Sequence, residues 1–257
     1  MAEHNGRLSP ARKHYAQVSA AIAAGTADPN RPQTGDQYEL HAAALWEHRR
    51  TLKGIKSLEA KITKKREMLA DFDAYVAGVL AGGTGAQDDV LMTVMLWRLD
   101  VGDLAGGIAV AEYAMRHGLD TPDRFERDTA SLVVEQVAEE AMRRLEALQQ
   151  QGDQEGDQES AEVEAANHAA ELAMHLTRVE ALTRDADMHD QIRAKLHKAI
   201  GYAQRARGGH DADALGHLKR ALSLNERAGV KKEIERLERT LAKAETTNDG
   251  QDETNQA

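Results

Sequence analysis

Apolar positions recur along most of this chain at three- and four-residue intervals, the spacing of one helix face. From Gln37 to Leu80, residues Leu45, Leu52, Ile55, Leu58, Ile62, Leu69, Val76 and Leu80 follow at steps of three, four or seven. That pattern predicts one long helix or a hairpin, weakened slightly at Gly54. Val90–Leu99 departs from it, because Val90, Leu91, Met92, Val94, Met95, Leu96, Trp97 and Leu99 project to every side of a helix. A helix with no polar face must be buried. Gly82, Gly83 and Gly85 break what precedes it, and Asp88 and Asp89 place negative charge on its first turn, where free N–H groups and the dipole favour it. Gly102 suits a left-handed stop, and Asp103 is a cap for the next helix, which closes at Gly118.

The remaining elements follow from the same signals. Tyr15–Ala24 reads as a short helix before the breaker cluster at residues 25–32, and Thr121-Pro122-Asp123 as the start of a helix running towards Leu148. Gln149–Ser160 is acidic, of low complexity and free of apolar residues, so it reads as a linker. Helical periodicity resumes over Ala161–Arg184. Ile192–Ala206, a break at Gly208-Gly209, and Ala214, Leu218, Ala221 and Leu222 make a hairpin. Val230–Lys243 is a charged helix whose Ile234, Leu237 and Leu241 face that hairpin or a partner subunit.

The predicted fold class is therefore all-α: a long basic N-terminal helix or hairpin, a buried central helix, and tetratricopeptide-like helical hairpins in the C-terminal half. The small-residue spacing behind the last reading is Gly107, Ala111 and Ala114 after Leu91–Trp97, repeated in the second hairpin. Two units are too few for a solenoid. The expected organisation is a flexible arm with a short helix (1–35), a basic helical region (36–84), a central core or assembly region (85–148), an acidic linker (149–160), a C-terminal hairpin region (161–244) and a disordered tail (245–257).

Composition narrows the chemistry. With no cysteine among 257 residues, disulfides, thiolate metal sites and cysteine nucleophiles are excluded. No apolar run approaches the roughly 20 residues of a membrane span, and the N-terminus lacks the apolar core of a signal peptide, so a soluble, intracellular protein is expected. The net charge of −10 seems unfavourable for a nucleic-acid partner until it is divided along the chain. Residues 1–84 carry 12 basic and 9 acidic side chains and residues 191–257 carry 13 and 10, whereas residues 85–190 carry 8 and 24. Positive charge is thus confined to the ends. On a continuous helix, Arg49, Arg50, Lys53, Lys56, Lys61, Lys64 and Lys65 fall within about half a turn of the wheel, while Ile55, Leu58, Ile62 and Leu69 lie opposite. Glu59 is the one acid between Arg49 and Arg66, so intrahelical pairing does not account for these cations. Trp46, close by, is expected to pack in the core.

GAQDDVLMTVMLWRLDVGD (Gly85–Asp103), with Ala105-Gly106-Gly107 and AVAEYAMRHGL (Ala109–Leu119), resembles the signature segment of the phage small terminase subunit family of temperate, contractile-tailed phages of the peduovirus type. Ser9-Pro10-Ala11, Val18-Ser19-Ala20-Ala21, the Arg50–Arg66 basic segment, Arg193–Lys198 (RAKLHK) and Ala228–Glu238 (AGVKKEIERLE) resemble the family in the same order. The resemblance covers most of residues 7–241 and is poor around Gln149–Ala166 and after Ala242, where relatives can carry a basic extension and this chain ends TNDGQDETNQA. It implies a non-ATPase subunit that recognises double-stranded phage DNA at its cohesive-end site and directs cleavage and loading by a large subunit. It also implies a homo-oligomeric ring, contact with the portal or prohead, and a location in the host cytoplasm with no membrane partner. The seven basic residues above are then the expected DNA contacts.

Family descriptions of an endonuclease subunit raise the question of catalysis in this chain. A metal-dependent nuclease needs carboxylates converging on Mg²⁺. Asp88 and Asp89 are the local candidates, but a straight helix sets them roughly 18 Å from Asp100 and Asp103, and capping or pairing with Arg98 explains all four. No cofactor is expected unless Mg²⁺ serves such a nuclease. Glu164 with His168 and Glu171 with His175 share a helix without a third ligand, so these histidines are expected at the surface and no metal site is assigned. Gly82-Gly83-Thr84-Gly85 lacks the Lys-Ser/Thr of a phosphate loop. The rival readings are an intrinsic nickase and a purely structural adaptor to the large subunit or portal.

Overall fold

The computed structural model describes residues 9–122, 127–151 and 158–252. Eleven helices and no strand occur among them, and the chain divides into two compact units meeting at Thr129.

The first unit holds α1 (Pro10–Gly25), α2 (Asp36–Lys53), α3 (Leu58–Leu69), α4 (Asp73–Gly82), α5 (Asp89–Asp100) and α6 (Leu104–His117). Nine of the twelve residues of α5 are buried, as its unbroken apolar circumference requires. Helices α2, α3 and α6 pack directly on it. Its N-cap, Asp88, accepts from the Leu91 N–H at 2.8 Å and from the Tyr75 hydroxyl of α4 at 2.6 Å. At its far end Arg98 pairs with Asp73 and Asp103, at 2.7 and 2.6 Å, while Asp103 also caps α6 through the Gly106 N–H. Arg98 therefore has the acidic neighbour that a lone guanidinium on a buried helix demands. Gly118 stops α6 with φ of 67°.

The long helix expected over 37–80 is three helices. Gly54 ends α2, and the Ser57 side chain accepts from the Ala60 N–H to start α3 afresh. A second break at Ala70–Phe72 lets α4 turn, with Phe72 fully buried against Trp97 edge to face. Packing of α2 relies on a heptad seam of His41, Leu45, His48 and Leu52: His41 stacks on Tyr75, and His48 meets the Phe72 ring edge and the Asp71 carboxylate.

Helix α1 is longer than its apolar spacing suggests and is anchored, with Ser9 as cap and Pro10 at its start. It crosses α4 at backbone contact: a Cβ on Gly78 would lie 2.5 Å from the Gln17 carbonyl oxygen and 2.6 Å from Ala20 Cβ. The breaker cluster after it is tied down by Thr84, whose hydroxyl donates to the Ala27 carbonyl, and by the Gln33 N–H on the Gln87 carbonyl.

The second unit holds α7 (Thr129–Gln151), α8 (Gln158–Leu182), α9 (Asp190–Ala206), α10 (Asp211–Leu224) and α11 (Lys231–Asp252). Helix α7 begins at Thr129, not at Thr121-Pro122-Asp123. Thr121 donates its hydroxyl to the Arg127 carbonyl instead of capping a helix, while Asp123 lies outside the described residues. The acidic linker shrinks at both ends, since 149–151 belong to α7 and 158–160 to α8, and 152–157 lie outside the described residues. Helices α9 and α10 form the expected hairpin around positive-φ Gly208 and Gly209. Gly201 lets Leu218 approach, since a Cβ there would meet Leu218 Cδ2 at 2.6 Å. Val230, Ile234 and Leu237 of the α11 segment complete this core against Ala214 and Leu218. Charged clamps close its rim: Arg205 to Glu233 at 2.6 Å, and Lys195 to Glu135 and Glu139 of α7. Helix α11 continues to Asp252, past the point at 245 where the tail was expected, and residues 253–257 lie outside the described residues.

Two glycines on helices separate close packing from helix propensity. Gly78→Ala forces α1 off α4 and is expected to destabilise the first unit by about 1–3 kcal/mol, despite the better propensity of alanine. Gly216→Ala, with nothing within 4 Å of its added Cβ, is expected to stabilise the second unit by about 0.5–1 kcal/mol. Both tryptophans lie in the first unit, so urea unfolding followed by fluorescence reads Gly78→Ala and far-ultraviolet dichroism reads Gly216→Ala. A neutral Gly78→Ala would show that the α1–α4 crossing is loose.

Candidate nucleic-acid interface

Breaking the long helix at Gly54 redistributes the seven basic residues. Arg49, Arg50 and Lys53 stand on α2, Lys56 in the connection, and Lys61, Lys64 and Lys65 on α3. Three of them have internal partners. The Arg49 guanidinium donates at 2.5 Å to the hydroxyl of Thr93, a fully buried residue of α5. Lys65 pairs with Asp100 at 2.5 Å, its side chain only 20% exposed. Lys64 pairs along its own helix with Glu67 at 2.8 Å, in a solvated geometry of little energetic weight.

Arg50, Lys53 and Lys56 are exposed and Lys61 is half-buried. Among the described residues none of these four is in an ion pair; Arg50 instead lies over the Trp46 ring, 5.7 Å from its centroid. Trp46 is 60% exposed, so the expectation that it packs in the core is corrected. Leu45 and Leu52 supply the buried face of α2, which turns Trp46 outward. Leu58, expected opposite the basic face, is 73% exposed, because it is the first residue of α3 and not the interior of a continuous helix. What remains is a smaller cationic patch at the α2–α3 joint, with an aromatic ring beside it and, among the described residues, no acidic partner for its four cations.

Asp88 and Asp89, the local catalytic candidates, diverge. Asp88 points inward, 1% exposed, with both oxygens engaged by Leu91 and Tyr75. Burial raises its carboxyl to about 6 against the opposing pull of those hydrogen bonds, and Asp89 adds to the rise. Burial, then the nearby Asp88, raises the Tyr75 phenol. Asp89 is exposed and accepts from the Gln87 amide. With Asp100 on Lys65 and Asp103 on Arg98, these four carboxylates are held apart in structural pairs. Of the two histidines that follow a glutamate at four-residue spacing on α8, His168 is exposed as expected, but His175 is buried at 6% exposure beside Glu171. It occupies the inner face of α8 between Leu172 and Val179, a face that Glu171-His175 spacing alone does not show. Among the described residues, the groups close enough to hold a cation together are Glu180, His197 and His217 of the second unit. The sequence conceals them because each stands on a different helix.

An all-helical protein with a buried central helix and a cationic joint beside it is a class that many binding proteins share; the sequence comparisons are more specific. A sequence model of the phage small terminase subunit family matches residues 42–191, from α2 into α9, and the chain belongs to that family. Over 237 residues it is 46% identical to the protein of Escherichia phage P2 described as "Terminase, endonuclease subunit", an alignment covering 91% of this chain and 85% of that one. No solved structure matches. A terminase role follows from this membership, and among the described residues no helix is long and apolar enough to cross a membrane.

The buried cap gives a pH test of the core beside the patch. Because the folded-state value of Asp88 lies above its unfolded value of 3.8, the stability linked to its proton is fully present below about pH 4 and is lost as pH rises through about 6. Asp88→Asn removes that dependence. Between pH 4 and 7.5 its stability relative to wild type is expected to rise by about 2–3 kcal/mol, whatever constant offset the amide introduces. Urea midpoints at the two pH values check this, and a difference that does not change with pH would show that Asp88 has the same charge at both.

Proposed function

We propose that this chain is the DNA-recognition subunit of a phage packaging terminase. In this reading it binds double-stranded phage DNA near the cohesive-end site, presents it to a large subunit that carries the ATPase and cutting activities, and directs loading into proheads in the host cytoplasm. The observation that supports it is the group of exposed Arg50, Lys53 and Lys56 with half-buried Lys61, free of ion pairs among the described residues on a chain of net charge −10. Isolated cations facing water at one joint suit the regularly spaced phosphates of a duplex, and each phosphate neutralised adds a salt-dependent increment to binding. Lys64 joins them by releasing Glu67. Arg49 and Lys65 act behind the surface, fixing α2 and α3 on α5.

A patch of four or five cations binds weakly alone. Assembly into a homo-oligomeric ring places several copies on one DNA, where effective concentration multiplies weak contacts. The α5–α6 and α9–α10 hairpins, read as tetratricopeptide-like packing, would then serve assembly and the meeting with the large subunit or portal. The name of the phage P2 relative supports a second reading, in which the chain itself nicks DNA with Mg²⁺. Asp88 is poorly suited to it, since its oxygens already hold Leu91 and Tyr75.

One experiment addresses both readings: binding to a cohesive-end duplex over a salt series, with Mg²⁺ present, comparing wild type with Lys53→Glu/Lys56→Glu/Lys61→Glu. The variant is expected to keep its fold and assembly state, lose at least tenfold in affinity, and show a log–log salt slope shallower by about 3, near 0.9 per phosphate contact. DNA is expected to stay intact without the large subunit. Unchanged binding would reduce the patch to a solvated surface, and Mg²⁺-dependent nicking by the purified chain would move the cutting activity into it.

A further inference from the structure

In the second unit, away from every residue assigned above, α8, α9 and α10 each bring one donor to a common point. His197 Nδ1 lies 3.1 Å from His217 Nδ1 and 3.6 Å from the Glu180 carboxylate. One ligand atom from each of the three residues lies within 4.8 Å of the other two. The imidazoles face each other with ring centroids 5.3 Å apart and planes inclined by 31°. Without a cation, one Nδ1 must donate to the other, which leaves the carboxylate facing the same spot with no donor of its own from the pair.

Metal coordination accounts for all three donors together. Ligand atoms about 2.0–2.2 Å from a tetrahedral centre stand ~3.3–3.5 Å from one another, and the two measured separations bracket that range. The set is two imidazoles and a carboxylate, the donors of a His₂Glu zinc site, and too rich in nitrogen for Mg²⁺ or Ca²⁺. The nearby cations are turned elsewhere: Arg193 donates to the Thr183 and Ala186 carbonyls, and Arg220 to Ser223.

We infer that Glu180, His197 and His217 form a binding site for a divalent transition-metal ion of the Zn²⁺ type, which ties α8 to the α9–α10 hairpin. The site is structural. It links three helices, and it is independent of the DNA patch and of any cutting chemistry.

The test uses the full-length, untagged protein, stripped with a chelator and titrated with Zn²⁺ against a chromophoric competitor, and with Co²⁺ for its visible spectrum. Wild type is expected to take up one Zn²⁺ per chain and to melt at a higher temperature with it, and Co²⁺ is expected to give the absorption bands of a tetrahedral N/O site. His217→Ala should abolish the uptake and the shift, and Glu180→Gln should weaken binding at least tenfold. Mg²⁺ should compete with neither metal. Absence of uptake by wild type, or equal uptake by His217→Ala, would overturn the assignment, the latter by sending the ion to another of the eleven histidines. Should His217→Ala fail to fold, Glu180→Gln and His217→Gln decide the matter by the same readouts.

Discussion

A helix with no side for water imposes its surroundings, and α5 is such a helix. Val90, Leu91, Met92, Val94, Met95 and Leu99 are each 2% exposed or less, and every one of them needs an apolar neighbour from another element. Helices α2, α3 and α6 supply that cover, with Tyr75 and Phe72 completing it from the α4 end. Apart from Thr93, whose hydroxyl takes Arg49, the polar groups that accompany this helix lie at its two ends, where Asp88 and the Arg98–Asp103 pair serve as caps and clamps together.

The same constraint divides the basic residues into two kinds. Helices α2 and α3 lie on α5, so part of their polar surface faces inward, and Arg49 and Lys65 are drawn to Thr93 and Asp100. These two are long side chains covering apolar surface while their heads find partners. Arg50, Lys53 and Lys56, at the end of α2 and in the connection, are left to solvent, with Lys61 half-buried on α3. The cationic patch is therefore a by-product of where α2 stops, and its size follows from the position of Gly54 and Ser57.

What was readable in the sequence followed from strong, local signals. The all-round apolar run of α5, the caps at Asp88 and Asp103, the left-handed stop at Gly118 and the Gly208-Gly209 break each state a structural requirement within a few residues. The division of residues 37–80 was less plain, because Gly54 opposes a helix by about 1 kcal/mol and a heptad pattern continues across it. Ser57, followed at Ala60 by the N–H it accepts from, was the available clue. Thr121-Pro122 has a cap's composition, yet α7 starts at Thr129 and the Thr121 hydroxyl goes to the Arg127 carbonyl. Exposure of Trp46 depends on which neighbours fill the α2 seam, and the meeting of Glu180, His197 and His217 on the packing of three helices. Neither fact has a local sequence signature.

The close crossing of α1 and α4 also orders the two units in time. Gln17 and Gly78, which touch through their backbones, are separated by some sixty residues of chain that must be gathered before the contact exists, whereas Gly201 and Leu218 meet across a single tight turn. Loop closure slows the first kind of contact and barely hinders the second. The α9–α10 hairpin, like the α5–α6 hairpin with Leu99 against Gly107, closes at little loop cost. The first unit, which bears the cationic joint, acquires its final form only when its N-terminal helix returns to close it.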